Sequence, residues 1–141
     1  MSTEAVRVEV IALAGLPEVG PGDDLEAMIG DALEATDGVL PTQPGDVLVV
    51  TQKIVSKAEG AVVDLRSIVP RPEAVAFAER WDRDARQVEV VLREAVEVVR
   101  MERGVLIART RHGFVCANAG VDASNVGEAD TVTLLPADSD A

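Results

Sequence analysis

Asp46-Val47-Leu48-Val49-Val50-Thr51-Gln52-Lys53-Ile54-Val55-Ser56-Lys57-Ala58-Glu59-Gly60 joins an apolar run to a polar one without a break. Residues 46–51 hold consecutive apolar side chains between polar ends and predict a strand buried on both faces. Residues 52–60 read as its continuation, with polar or charged groups at Gln52, Lys53, Ser56, Lys57 and Glu59. In a strand Lys53 and Lys57 share one face, from which both ammonium groups reach one anion, while Gln52 and Ser56 point the other way. The same spacing fits two solvated lysines on a sheet edge, where their charge discourages edge pairing.

Outward from this stretch, helices and strands follow one another. Residues 6–13 predict a first strand: Val6, Val8 and Val10 alternate with polar residues, and the apolar run then continues to Ala14. Gly15-Leu16-Pro17-Glu18-Val19 forms the loop after it, and Gly20-Pro21-Gly22 a turn. Asp23 or Asp24 can cap a helix over residues 25–35, in which Leu25, Met28, Ile29, Ala32 and Leu33 share one face. Residues 62–65 predict a short strand. Pro70 and Pro72 open a helical region, with helices over 74–81 and 84–101; Val88, Val91, Leu92, Ala95, Val96 and Val99 form the apolar stripe of the second. Residues 104–108 and 113–117 predict a hairpin, residues 118–127 a polar loop, and 131–135 a last short strand. Residues 136–141 read as a linker. The fold class is α/β in the broad sense, an α+β arrangement of a mixed sheet with helices.

With 141 residues the chain makes one domain. Apolar residues are 48% and charged residues 27%, a globular balance. The net charge of −12 and the absence of a Lys/Arg cluster exclude duplex binding and argue against anionic membranes. Phe77, Trp81 and Phe114 are the only aromatic residues, too few for a base-stacking platform. Cys116 is the single cysteine; it permits no internal disulfide and reads as a small buried hydrophobe. The first ten residues lack the apolar core of a signal peptide, and no apolar run approaches membrane-spanning length, which reads as a cytoplasmic protein.

A further segment, Asn118-Ala119-Gly120-Val121-Asp122-Ala123-Ser124-Asn125-Val126, places a carboxylate in a loop of small residues. Asp122 can bind a hard cation such as Mg2+ or Mn2+ through oxygen, and Ser124 and Asn125 can position a nucleotide. The same residues also fit an Asx-turn closed on its own backbone, and one carboxylate needs partners from elsewhere to make a metal site. His112 reads as a surface turn residue. Residues 82–86 alternate in charge and fit a solvated helix junction or a substrate-facing cluster. The glycines match neither the P-loop nor the dinucleotide-binding fingerprint.

Taken in order, the Gly-Leu-Pro-Glu loop at 15–18, Val-Thr-Gln-Lys-Ile-Val-Ser-Lys-Ala-Glu-Gly at 50–60 and Asn-Ala-Gly-Val-Asp-Ala-Ser-Asn-Val at 118–126 resemble the F420-0:γ-glutamyl ligase family. The resemblance extends from Val6 to Pro136. It implies an α/β ligase fold that dimerises, and a GTP-dependent enzyme that joins L-glutamate to coenzyme F420-0, and γ-linked glutamates to F420-1, through an acyl phosphate. It further implies Mg2+ or Mn2+, and K+, as cations. Leu16, Pro17, Glu18, Val19, Gln52, Lys57 and Asn125 match nucleotide-contacting positions and Asp122 a metal ligand; no residue is assigned as catalytic. The family's module continues beyond this point, so residues 1–136 are expected to be its N-terminal portion and 137–141 the start of a linker or continuation. A fragment of this kind is expected to be inactive alone. The alternative is a non-catalytic nucleotide-binding or structural half-module that needs a C-terminal partner.

Overall fold

The computed structural model describes residues 7–123 and 130–138. Asp24 accepts a hydrogen bond from Ala27 N at 3.0 Å and so starts α1 (Leu25–Ala35), as its spacing predicts. A second helix follows, α2 (Gln52–Ala58), then a short strand β1 (Val62–Asp64). The pair α3 (Pro72–Trp81) and α4 (Ala85–Glu94) leads into β2 (Ala95–Glu102), β3 (Val105–Thr110) and β4 (Val115–Ala117), and the last strand is β5 (Thr131–Thr133). Strands β2-β3-β4 form one antiparallel sheet, and β1 pairs antiparallel with β5 in another. The α+β class read from the sequence holds.

The core lies where the apolar faces of α3 and α4 close on β3. Phe77 and Ala78 meet Val88, Val91 and Leu92, with Leu106, Ala108 and Ala119 beneath them. Leu65, Val90 and Val132 make a second cluster that joins α4 to the β1–β5 pair. The charged run at 82–86 is a helix junction: Asp84 accepts from Arg86 N at 2.8 Å, and Arg86 also reaches Asp130 at 2.9 Å. The Arg86 guanidinium, hydrogen-bonded to Asp84, holds that carboxyl below its ordinary range.

Three sequence expectations are corrected. The helix expected over 84–101 ends at Glu94, and the chain turns into β2. Val96, Val98 and Val99 are β-branched, and pairing with β3 across the two-residue turn Arg103-Gly104 outweighs the helical stripe. Residues 52–60 are not a strand. Their backbone closes a helix-terminating motif in which Ala61 N bonds Ser56 O at 2.7 Å and Gly60 N bonds Lys57 O at 2.9 Å. Residues 7–13 and 46–51 belong to no sheet among the described residues, and Val47 to Val50 are exposed rather than buried. A strand requires a neighbour for its backbone groups, and no described segment supplies one.

Candidate functional site

Helix α2 organises the site. Lys53 and Lys57 are one turn apart on it and still share a face, by helical rather than strand geometry. Ser56 is fully buried and donates to Leu134 O at 2.7 Å; Gln52 donates to the same oxygen at 3.0 Å and also to Ser56 Oγ. These bonds fix the rotation of the helix about its axis and set the direction in which both lysines project.

The loop at 15–19 reaches α2 from one side. Val19 is buried, and Gly22 N donates to Ala58 O at 2.7 Å, which ties the following turn to the C-terminal end of the helix. Glu18 is thereby brought against Lys57, with which it pairs. The Lys57 side chain is 12% exposed whereas Glu18 is 81% exposed, so the ammonium is sheltered and its carboxylate partner is not.

Asp122 reaches α2 from the other side. Its backbone is bridged to β5: Asp122 N bonds Thr133 O at 3.0 Å, and Thr133 N bonds Asp122 O at 2.8 Å. The Asp122 carboxylate lies 2.8 Å from Lys53 Nζ. Glu18 and Asp122 thus flank the two lysines along one helix face, and the three segments singled out in the sequence meet there.

The approach of residues 118–122 depends on Gly120. It has φ +75°, and a Cβ there would sit 2.5 Å from Leu135 Cγ. Gly120→Ala is therefore expected to destabilise the fold by about 2–3 kcal/mol, from overpacking together with the left-handed backbone. Chemical denaturation measures this; a change below about 0.5 kcal/mol means that the segment re-routes freely.

Of the other expected positions, Leu16 and Pro17 are exposed, and Gln52 faces Leu134 rather than the lysine face. Ser124 and Asn125 lie outside the described residues. His112, expected on the surface, is half-buried, with Nε2 2.9 Å from Pro136 O, and Cys116 is half-buried rather than buried. His112 lines a cleft of about 320 Å3 with Val50, Gln52, Val55, Phe114, Leu135 and Pro136, on a different face of α2 from the lysines. Glu59 escaped functional notice: it accepts Ala137 N at 2.6 Å and fastens residues 137–138 to the end of α2. The signal for α2 was Gly60 itself, a helix-stopping residue after Lys57-Ala58-Glu59.

The donor set does not by itself make a metal site. No group of three or more His, Cys, Asp or Glu gathers among the described residues, and the Asp122 carboxylate faces an ammonium. Mg2+ is commonly held by one or two carboxylates plus phosphate oxygens, so Asp122 can serve only as part of a larger set. No described helix is long and apolar enough to cross a membrane.

Comparison with known proteins gives a family match. The family described as F420-0:Gamma-glutamyl ligase matches residues 15–141. The coenzyme F420:L-glutamate ligase of Methanothermobacter thermautotrophicus is 44% identical over 94% of this chain and 52% of that protein. The ligase of the same name from Methanopyrus kandleri is 44% identical over 96% of the chain and 50% of its own length. That of Methanocaldococcus jannaschii is 36% identical over 99% of the chain and 53% of its own length. The chain spans about half the length of these curated relatives.

Proposed function

This chain belongs to the F420-0:gamma-glutamyl ligase family, and from that premise we propose that it carries the phosphate-gripping part of a GTP-dependent ligase that adds L-glutamate to coenzyme F420-0. In this reading a carboxylate oxygen of the F420 precursor attacks the γ-phosphorus of GTP. The bond to the GDP oxygen breaks and an acyl phosphate forms. The glutamate amine then attacks the acyl carbon, phosphate leaves, the amine proton passes to solvent, and an amide remains; the same chemistry extends F420-1 by a γ-linked glutamate.

The chain's own part is electrostatic. Lys57 holds the phosphates, as a sheltered ammonium on a helix whose rotation is fixed. Lys53 stands one turn away and adds a second positive charge. The loop with Leu16, Pro17, Glu18 and Val19, together with Asn125, contacts the guanine nucleotide. Asp122 offers one oxygen ligand to a divalent cation, which would offset the charge of the polyphosphate when bound. The observation that supports this reading is the meeting of three sequence-distant segments at one lysine-bearing helix face.

GTP with Mn2+ is expected to raise the melting temperature of the chain by several degrees, since a ligand held only by the native state stabilises it. No shift at millimolar GTP and Mn2+ sinks the nucleotide assignment. The isolated chain is expected to form little glutamylated product from F420-0, GTP and glutamate, because it spans about half the length of its curated relatives. Robust turnover by the isolated chain overturns that expectation. A half-module that needs a partner is the second reading, favoured by the amount of surface the chain exposes.

A further inference from the structure

We propose that Lys53 is an exchange residue for the Asp122 carboxylate: its ammonium holds Asp122 by ion pairing and passes to the phosphate oxygens of the nucleotide as Asp122 takes a divalent cation, so that one side chain couples the two binding events. The nucleotide and the cation rest on the ligase reading above. The ion pair and its placement rest on the fold.

Lys53 Nζ lies 2.8 Å from Asp122 Oδ2. A hard cation binds carboxylate oxygen at about 2.0–2.6 Å, and an ammonium held on the same oxygen repels it. The two occupants compete, so one member of the pair has to move. Neither backbone is free to do so. Asp122 N bonds Thr133 O at 3.0 Å, and Thr133 N bonds Asp122 O at 2.8 Å. Helix α2 is tied to the next residue, since Gln52 and Ser56 both donate to Leu134 O, at 3.0 and 2.7 Å. Consecutive residues of one segment thus hold both partners, and Thr133 and Ser56 are fully buried.

Motion therefore falls to the side chains. Lys53 has the longer reach, with a flexible four-carbon stem against the single methylene of Asp122. The helix also defines its alternative partner. Lys57 lies one turn further along the same face, so an anion gripped by Lys57 is presented to Lys53 as well. The exchange costs little. The Lys53 and Asp122 side chains are 21% and 43% exposed, and an ion pair open to solvent favours the closed arrangement by no more than about fivefold. That factor is also the ceiling on the coupling, because breaking this pair is what links the two events.

Calorimetric titration of the 141-residue chain with GTP reads the coupling in a double-mutant cycle of Asp122→Asn and Lys53→Met, once with EDTA and once with saturating Mn2+. Neither substitution removes a backbone bond, and both side chains are partly exposed, so the melting temperature is expected to stay within about 3 °C. Lys53→Gln serves as a second neutral variant. In EDTA, Asp122→Asn is expected to tighten GTP about tenfold when Lys53 is present, since it removes a like charge and releases the ammonium, and only about twofold in Lys53→Met. In Mn2+ the sign reverses: Asp122→Asn is expected to weaken GTP about tenfold with Lys53 present and about 50-fold in Lys53→Met, where no ion pair is released in compensation. Coupling of about fivefold in both conditions supports the exchange. Equal factors in the two backgrounds overturn it, because Lys53 then stays on Asp122. Coupling in EDTA that vanishes in Mn2+ overturns it as well, because ammonium and cation then share the carboxylate. If Asp122→Asn tightens GTP in Mn2+ too, Asp122 is not the cation's ligand, and the exchange is rejected while the nucleotide assignment stands. No GTP binding by the wild type or by any variant rejects the nucleotide assignment, and the proposal with it.

Discussion

Lys57→Ala is expected to weaken GTP binding about 100-fold while moving the melting temperature of the ligand-free chain by no more than about 3 °C. The two expectations come from different sides of the same ion pair. Glu18 is 81% exposed, so its carboxylate stays hydrated when Lys57 is removed, and an exposed partner of this kind contributes little to folding. A triphosphate held by the sheltered ammonium loses a charge-assisted contact of about 2–3 kcal/mol. Lys57→Arg keeps the charge and should recover part of the affinity, whereas Lys57→Gln should not. Calorimetric titration with GTP and Mn2+, alongside thermal melts, reads both quantities. Equal affinity in wild type and Lys57→Ala rules Lys57 out as the phosphate contact. A large drop in melting temperature with unchanged affinity makes the residue structural instead.

The parts of the fold that a reader of the sequence can recover are those whose partners are local. Asp24 and the apolar spacing of residues 25–35 give α1, and Pro72 marks the opening of α3. The β3–β4 hairpin follows from two short apolar runs around a turn. The failures are places where distant contacts overrule local pattern. The stripe of Val88, Val91 and Leu92 continues on paper through Val99, yet β2 leaves the helix at Ala95 because β3 lies ready to pair with it. Residues 52–60 follow an apolar run and look like its extension. What makes them helical is the burial of Ser56 and its bond to Leu134, contacts 78 residues apart that no local pattern announces. The lysine face survived the wrong secondary structure only because a spacing of four falls on one side of both a strand and a helix. The pairing of Lys53 with Asp122 was not legible, since it requires the backbone bridge between Asp122 and Thr133. His112 looked like a turn residue, and its contact with Pro136 O depends on the chain folding back after β5.

Glu89→Gln is expected to cost about 2 kcal/mol at neutral pH and to flatten the acid limb of the stability curve. Glu89 is only 3% exposed. Its Oε2 accepts from Arg71 N and Arg71 Nε, each at 2.9 Å, and its Oε1 accepts from Arg71 Nη2 at 3.0 Å and from Arg93 Nε at 2.8 Å. One carboxylate therefore joins Arg71, the N-cap of α3, to α4 beside the core. The hydrogen bonds from Arg71, and then those from Arg93, hold its pKa down from 4.5 to about 2 against the opposing effect of burial. Because the folded pKa lies below the unfolded one, the stabilisation is fully present above about pH 5 and is lost as pH falls toward 2. A shift of that size corresponds to about 3 kcal/mol, and the half-exposed guanidiniums reduce it through solvent screening to about 2 kcal/mol. Glutamine keeps the volume and one acceptor oxygen but cannot satisfy two guanidiniums as an ion, so the loss reports the charge rather than the packing. Urea titrations of wild type and Glu89→Gln between pH 7 and about pH 3 separate the two effects. The stability gap should be widest at neutral pH and should close on acidification. A gap that stays constant over that range means that Glu89 acts through shape and hydrogen bonding alone, and the pairing of α3 with α4 must then be attributed to Phe77, Val88 and Leu92.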